Sequence, residues 1–330
     1  MNTWIQTIID SPTRVAIPIM THPGIEAIGK RIIDAVTNGE THFQAIKALA
    51  EKYTVTACTT IMDLTVEAEA FGATVNMSDH EIPNVTGRLV HDMKSIEKLQ
   101  VPSLSMARIP EYVKATKLAV EHLNKPILSG CIGPYSLAGR LYDMSEIMVA
   151  IYIDPDTINA LLAKCTDLII DYCKKLKEVG ATGVVIAEPA AGLLSNEDCS
   201  EYSSKYVKRI VEAVQDDTFT VILHNCGNKG QCTQAMIETG AGALHFGNAA
   251  DMVNVLETCP ENVVVMGNID PVGILKQASA ETVYRTTTEL LEKTAQYKNF
   301  VLSSGCDMPP MVPAENILAF FQALDDFNKR

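Results

Sequence analysis

Short apolar runs recur along the chain. Eight have the length and β-branched content of strands: Val15–Met20, Ala57–Met62, Pro126–Gly130, Gly183–Glu188, Phe219–His224, Ala243–Gly247, Val263–Gly267 and Phe300–Ser304. Nearly unbroken apolar runs, rather than alternating ones, mark strands covered on both faces. The stretches between them carry helical spacing. In Glu40–Lys52, Phe43, Ile46, Leu49 and Ala50 share a face; in Thr157–Val179, Ile158 to Leu176 form a longer stripe. Glu201–Val214, Gln231–Glu238, Glu281–Thr294 and Pro313–Phe327 read the same way, with Asp156 and Pro313 as start signals.

Strands alternating with helices predict a parallel sheet, and a count of eight favours its closure. The expected fold is α/β, a (β/α)8 TIM barrel formed by residues 1–330 as one domain, with an N-terminal arm around Trp4. The stretch Asp63–Lys125 after the second strand is too long for a simple crossover. It reads as an insertion near the barrel mouth, with a strand at Glu81–Val85 and helices near His91–Leu99 and Pro110–Leu123. Gly133-Pro134 reads as a loop shaping the rim after the third strand.

Composition narrows the setting. The net charge of −13 comes with no run of Lys and Arg, which argues against nucleic acid or an anionic membrane as partner. Met1–Thr13 has neither the basic start nor the apolar length of a signal peptide, and no stretch has the length of a membrane span. Nine scattered cysteines, an odd number, fit a reducing, cytoplasmic setting in which thiols are core residues, metal ligands or nucleophiles.

The chemistry gathers where strands end. The fifth strand runs into His224-Asn225-Cys226-Gly227-Asn228, and alternate residues on a strand point the same way, so His224 and Cys226 converge. Cys306 follows the last strand in Ser303-Ser304-Gly305-Cys306-Asp307. In a closed barrel both ends face the mouth that carries active sites. Three protein donors with one position open is the pattern of catalytic zinc. Two thiolates and one neutral imidazole cancel the charge of Zn²⁺, so a thiol entering the fourth position would lose its proton yet keep its electron density. The plainer alternative is that buried free cysteines are common.

Other strand ends supply further candidates. Glu188, Asp270 and Asn248 are expected in catalytic roles; Asp270 and Asn248 also suit a helix cap or turn. His22, Asp63 and Asp307 are expected to face a cofactor. His245 reads as a satisfied interior histidine, His42, His80, His91 and His122 as surface or loop residues, and Cys58, Cys131, Cys165 and Cys173 as core.

Several motifs in order resemble the corrinoid methyltransferase branch of the uroporphyrinogen decarboxylase superfamily. They are Gly133-Pro134-Tyr135-Ser136-Leu137-Ala138, Ile186-Ala187-Glu188-Pro189-Ala190, His224-Asn225-Cys226-Gly227-Asn228, Met266-Gly267-Asn268-Ile269-Asp270-Pro271 and Gly305-Cys306-Asp307-Met308-Pro309-Pro310. His224, Cys226 and Cys306 look like the zinc set of the methylcobamide:coenzyme M methyltransferases. The resemblance implies Zn²⁺ as cofactor and transfer of a methyl group from methylcobalamin, or a corrinoid on a partner protein, to a thiol such as coenzyme M. No Asp-x-His-x-x-Gly motif of a corrinoid module is present, so the corrinoid is expected in trans. Two departures matter. The decarboxylases carry arginines after the first strand, where this chain has Met20-Thr21-His22-Pro23-Gly24-Ile25; and Ser203 stands where ether-cleaving relatives place a second carboxylate. A methylated amine, ether or thioether donor, a tetrahydrofolate acceptor, or a non-enzymatic zinc-binding subunit remain as alternatives.

Overall fold

Parallel strands in sequential register make the frame of the molecule, a computed structural model that describes residues 3–330. The strands are β1 (Cys58–Thr59), β2 (Thr74–Asn76), β3 (Asn84–Thr86), β4 (Ile127–Ile132), β5 (Gly183–Ala187), β6 (Thr220–Asn225), β7 (Ala243–Phe246), β8 (Val264–Ile269) and β9 (Phe300–Ser304). Seven of them form one curled sheet in the order β1-β4-β5-β6-β7-β8-β9, every neighbouring pair parallel.

The first expected strand, Val15–Met20, is extended but is not a sheet strand. Only Ala16 bridges, to Leu302 in β9, and Thr56 N donates to Ala16 O on the other side. The segment therefore spans the gap between β9 and β1 and closes the ring. Pro18 supplies no N–H, which interrupts the ladder. One residue on, the Ser304 hydroxyl replaces a backbone partner by accepting from Ile19 N at 3.1 Å. The second strand is shorter than Ala57–Met62 for a related reason: Gly130 N bonds the Thr60 hydroxyl, not a carbonyl.

Two apolar sets follow from strand alternation. Ile17, Leu128, Val185, Ala187, Ile222, Ala243, Val264, Met266 and Val301 fill the barrel interior. Their sequence neighbours, such as Val184, Ile186, Leu223, Leu244 and Leu302, pack outward against the helices. Helix Thr3–Ile9 places Ile5 and Ile8 in the interior set, with Trp4 packed against it, so the N-terminal arm plugs the end away from the mouth. A cavity of about 620 Å³ at that end, lined by Ile8, Arg14, Phe300 and Asn328, contains none of the expected site residues.

The long helix runs from Pro155 to Glu178, with Asp154 and not Asp156 as its cap: the Asp154 side chain accepts from Thr157 N. Glu201–Val214 becomes a π turn over Ser200–Ser204 followed by helix Lys205–Val214. The insertion holds helices Met93–Lys98 and Ile109–His122, and its strand is β3, which starts after Pro83 and pairs antiparallel with the unforeseen β2. Gly133-Pro134 opens helix Pro134–Tyr142, with Pro134 in the first turn, where its missing N–H costs nothing; helix Met144–Ile153 follows. No described helix is long and apolar enough to cross a membrane.

Candidate metal centre

The expected triad meets. The ligating atoms of His224, Cys226 and Cys306 all lie within 4.8 Å of one another, the one such cluster of metal-binding type among the described residues. His224 occupies the inward-facing register of β6, two residues beyond Ile222 of the interior core. Cys226 follows β6, and Cys306 follows β9 across the mouth. His224 is buried, while both cysteines are partly accessible.

Local structure brings these ends together. Asn225 Oδ1 accepts from Asn228 N at 3.1 Å, and Asn228 Oδ1 accepts from Gly230 N and Cys232 N, fixing the turn that presents Cys226. Two glycines allow close approach. A β-carbon on Gly247, at the end of β7, would sit 2.8 Å from Cα of Cys226 and nearer still to its carbonyl oxygen. One on Gly305 would sit 2.6 Å from the backbone nitrogen of Asn248.

Cys306 Sγ is 3.7 Å from His224 Nε2. The two thiols share hydrogen. Cys226, stabilised by the bond from Cys306, is lowered to about 7; Cys306, raised by that bond and by burial, goes to about 12. The pair loses its first proton from Cys226 and resists losing the second, as coupled neighbours do. A divalent cation would offset both negative charges, so the donor chemistry fits zinc, with His224, Cys226 and Cys306 to hold it.

Behind the triad, His224 Nδ1 lies 2.7 Å from His245 Nδ1; His245 Nε2 lies 2.9 Å from Ser303 Oγ, which donates to Ile17 O at 2.7 Å. His245 is interior and satisfied, as expected, but its attachment to His224 was missed. The signal was the ladder: His224 and His245 are register partners on β6 and β7.

The remaining candidates take other positions. Glu188 is fully buried and faces outward, following inward Ala187. Its carboxylate accepts from Tyr135 N (2.8 Å), Ser136 N (2.9 Å) and Ser136 Oγ (2.7 Å), so it caps helix Pro134–Tyr142 from another strand. Ser203 bonds the same carboxylate, and burial raises Glu188 to about 7. Asp270 Oδ1 accepts from Val272 N and Gly273 N, both at 2.9 Å, as a helix cap. Asn248 is exposed at the mouth. Asp307 accepts from Thr21 N at 2.8 Å, and burial of its carboxyl raises it to about 7. His22 is buried in helix Thr21–Ala27 and lowered to about 4 by burial and by Lys276. Asp63 is buried in bonds with Arg108, Tyr112 and Thr65. His42 is no surface residue: it is buried, and its Nε2 accepts from Ile61 N at 2.8 Å. Helix Gly39–Lys52 packs that face onto the insertion, where His42 meets the Tyr112 ring edge-on.

Comparison with known proteins bears on the family and the fold. The uroporphyrinogen decarboxylase (URO-D) family model matches residues 11–327. The chain is 30% identical over 260 residues to methylcobamide:CoM methyltransferase MtbA of Methanosarcina acetivorans, covering 77% of this chain and 75% of that one. It is 28% identical over 275 residues to methylcobamide:CoM methyltransferase MtaA of Methanosarcina barkeri, covering 80% and 78%. A solved methyltransferase from Methanosarcina mazei superposes with a TM-score of 0.89 at 25% identity, covering 98% of both chains.

Proposed function

The chain belongs to the uroporphyrinogen decarboxylase family, and from that premise we propose that it is a methyltransferase which passes a methyl group from a corrinoid, carried by a separate protein, to a small thiol received at His224, Cys226 and Cys306. The observation that carries this reading is the meeting of one imidazole and two sulfurs within 4.8 Å. The names of the relatives supply the reaction class.

Zinc, when bound, supplies a Lewis-acid position at which a thiol gives up its proton near neutral pH. The protein does the rest. His224, Cys226 and Cys306 would hold the ion with three donors, one fewer than the four of a tetrahedral zinc site. Two thiolates and a neutral ring would balance the ion's charge, so an incoming sulfur would keep its nucleophilicity. The apolar residues below His224 keep water from the inner side of the site. Asn248, exposed beside Gly305, is placed to contact an incoming substrate. Glu188, Asp270 and Asp307 act through what they hold: the start of helix Pro134–Tyr142, the turn after β8, and the start of helix Thr21–Ala27. Asp63 holds Arg108, Tyr112 and Thr65 together, and His22 is buried in helix Thr21–Ala27. Porphyrinogen decarboxylation is disfavoured, because helix Thr21–Ala27 contains no arginine to grip the substrate's carboxylates.

The test is zinc stoichiometry together with methyl transfer. Wild type should bind one zinc per chain and demethylate methylcobalamin with 2-mercaptoethanesulfonate as acceptor. Cys306→Ser should lose both, while the metal-free forms of the two proteins unfold at nearly the same temperature. A zinc-loaded wild type that methylates no thiol would end this reading.

A further inference from the structure

Resting on the metal reading above, we propose that His245 and Ser303 are positioning residues that fix the tautomer of His224, so that its Nε2 stays bare for the metal. A buried chain of four groups runs from Ile17 O through Ser303 and His245 to His224, and each link holds one hydrogen. A backbone carbonyl only accepts, so Ser303 commits its single hydrogen to Ile17 O at 2.7 Å. Ser303 Oγ must then accept in its 2.9 Å contact with His245, which places a hydrogen on His245 Nε2. His245 is buried, and no carboxylate bonds it among the described residues, so a neutral ring is the form that fits. A neutral ring protonated at Nε2 is bare at Nδ1.

That nitrogen faces Nδ1 of His224 at 2.7 Å. Two bare nitrogens would repel at this distance and two N–H groups would collide, so one hydrogen lies between them, and it belongs to His224. A neutral His224 protonated at Nδ1 carries its lone pair on Nε2. This is the nitrogen 3.7 Å from Cys306 Sγ.

Direction is imposed from the far end. Ile17 lies on the segment that closes the ring, and among the described residues only Ser303 donates to its carbonyl, so each link upstream is decided in turn. The sheet builds the first link by register, since His224 and His245 are paired residues of adjacent strands. Partners behind a metal-ligating histidine set its ring orientation and its basicity, and their loss costs roughly 10–100-fold in metal affinity.

The test is zinc affinity by competition with a chromogenic chelator, joined to ¹⁵N NMR of the His224 ring in metal-free protein. His245→Leu removes the acceptor and Ser303→Ala removes the group that orients it; each should weaken zinc by roughly 10–100-fold. His245→Asn, whose amide oxygen accepts near the Nδ1 position, and Ser303→Thr, which keeps the hydroxyl, should stay within a few-fold of wild type. The NMR spectrum should show His224 protonated at Nδ1 in wild type and a tautomer mixture in Ser303→Ala. Unchanged affinity in both disruptive variants, in a wild type that does bind zinc, would overturn the inference and leave the metal reading intact. Should wild type bind no zinc, the metal reading falls and the NMR tautomer alone decides the role of the relay. If His245→Leu does not fold, Ser303→Ala carries the comparison.

Discussion

Gly247 lies flush against Cys226: any β-carbon at position 247 would press on both Cα and the carbonyl oxygen of the cysteine. The packing of β7's end thus fixes where one of the three donors stands. Gly247→Ala should displace Cys226, cost about 1–3 kcal/mol as overpacking does, and weaken zinc binding. Urea unfolding and chelator competition measure the two effects. Destabilisation with full zinc affinity would show that the cysteine adjusts independently of its neighbour.

Glu188 is expected to matter for stability before chemistry. Its carboxylate serves Tyr135 N, Ser136 N and Ser136 Oγ in a site with no access to water. Glu188→Ala strands those donors, at about 1–3 kcal/mol for each one left unsatisfied. Glu188→Gln keeps one acceptor and should fall between. The melting temperatures should rank wild type, Gln, Ala. An unchanged melting temperature for Glu188→Ala would refute the capping role and return the residue to the reaction.

The buried ion pair of Asp63 and Arg108 should behave as a unit. Arg108 also bonds Glu69 and the Val36 carbonyl, and Asp63 also holds Tyr112 and Thr65. Removing one partner leaves an uncompensated buried charge, so Arg108→Met should cost about 3–5 kcal/mol. Asp63→Asn with Arg108→Met should recover part of that loss. A double-mutant cycle from denaturant unfolding reads the coupling; additive losses would mean the two charges do not depend on each other.

Stability should fall as the solution becomes more alkaline, through Glu67. Burial raises this side chain from 4.5 to about 8. Its Oε1 accepts from Ile132 N at 3.2 Å, while Oε2 is buried with no hydrogen-bond partner among the described residues. Between those two pH values the folded state holds a proton that the unfolded state has released, so ΔG of unfolding decreases with rising pH. The protonated carboxyl's contribution is fully present below about 4.5 and lost as pH passes about 8. Glu67→Gln cannot ionise and should melt with a flatter pH dependence over this range. Parallel curves for the two proteins would show that Glu67 is not the group responsible.

Much of this protein could be read from residue order. Apolar runs of strand length located the seven sheet strands to within a few residues, because a strand buried on both faces must be apolar throughout. The spacing of His224 and Cys226 showed that both point one way, and Cys306 was placed at the same mouth by its position after the last strand. These are local facts, set by backbone periodicity.

Other features arise from contacts between distant segments, which periodicity does not encode. A serine hydroxyl standing in for a ladder bond made Val15–Met20 a bridge in place of a strand. Glu188 looked like a mouth carboxylate, but it faces outward and caps a helix begun 54 residues earlier in the chain. His42 sits on a helix whose buried side depends on where the insertion folds back. His245 met the candidate ligand His224 only once sheet register set the two side by side. Sequence determined which residue types were available and which way each strand turned them; tertiary structure decided their partners, because a buried polar group bonds whatever the fold brings within about 3 Å.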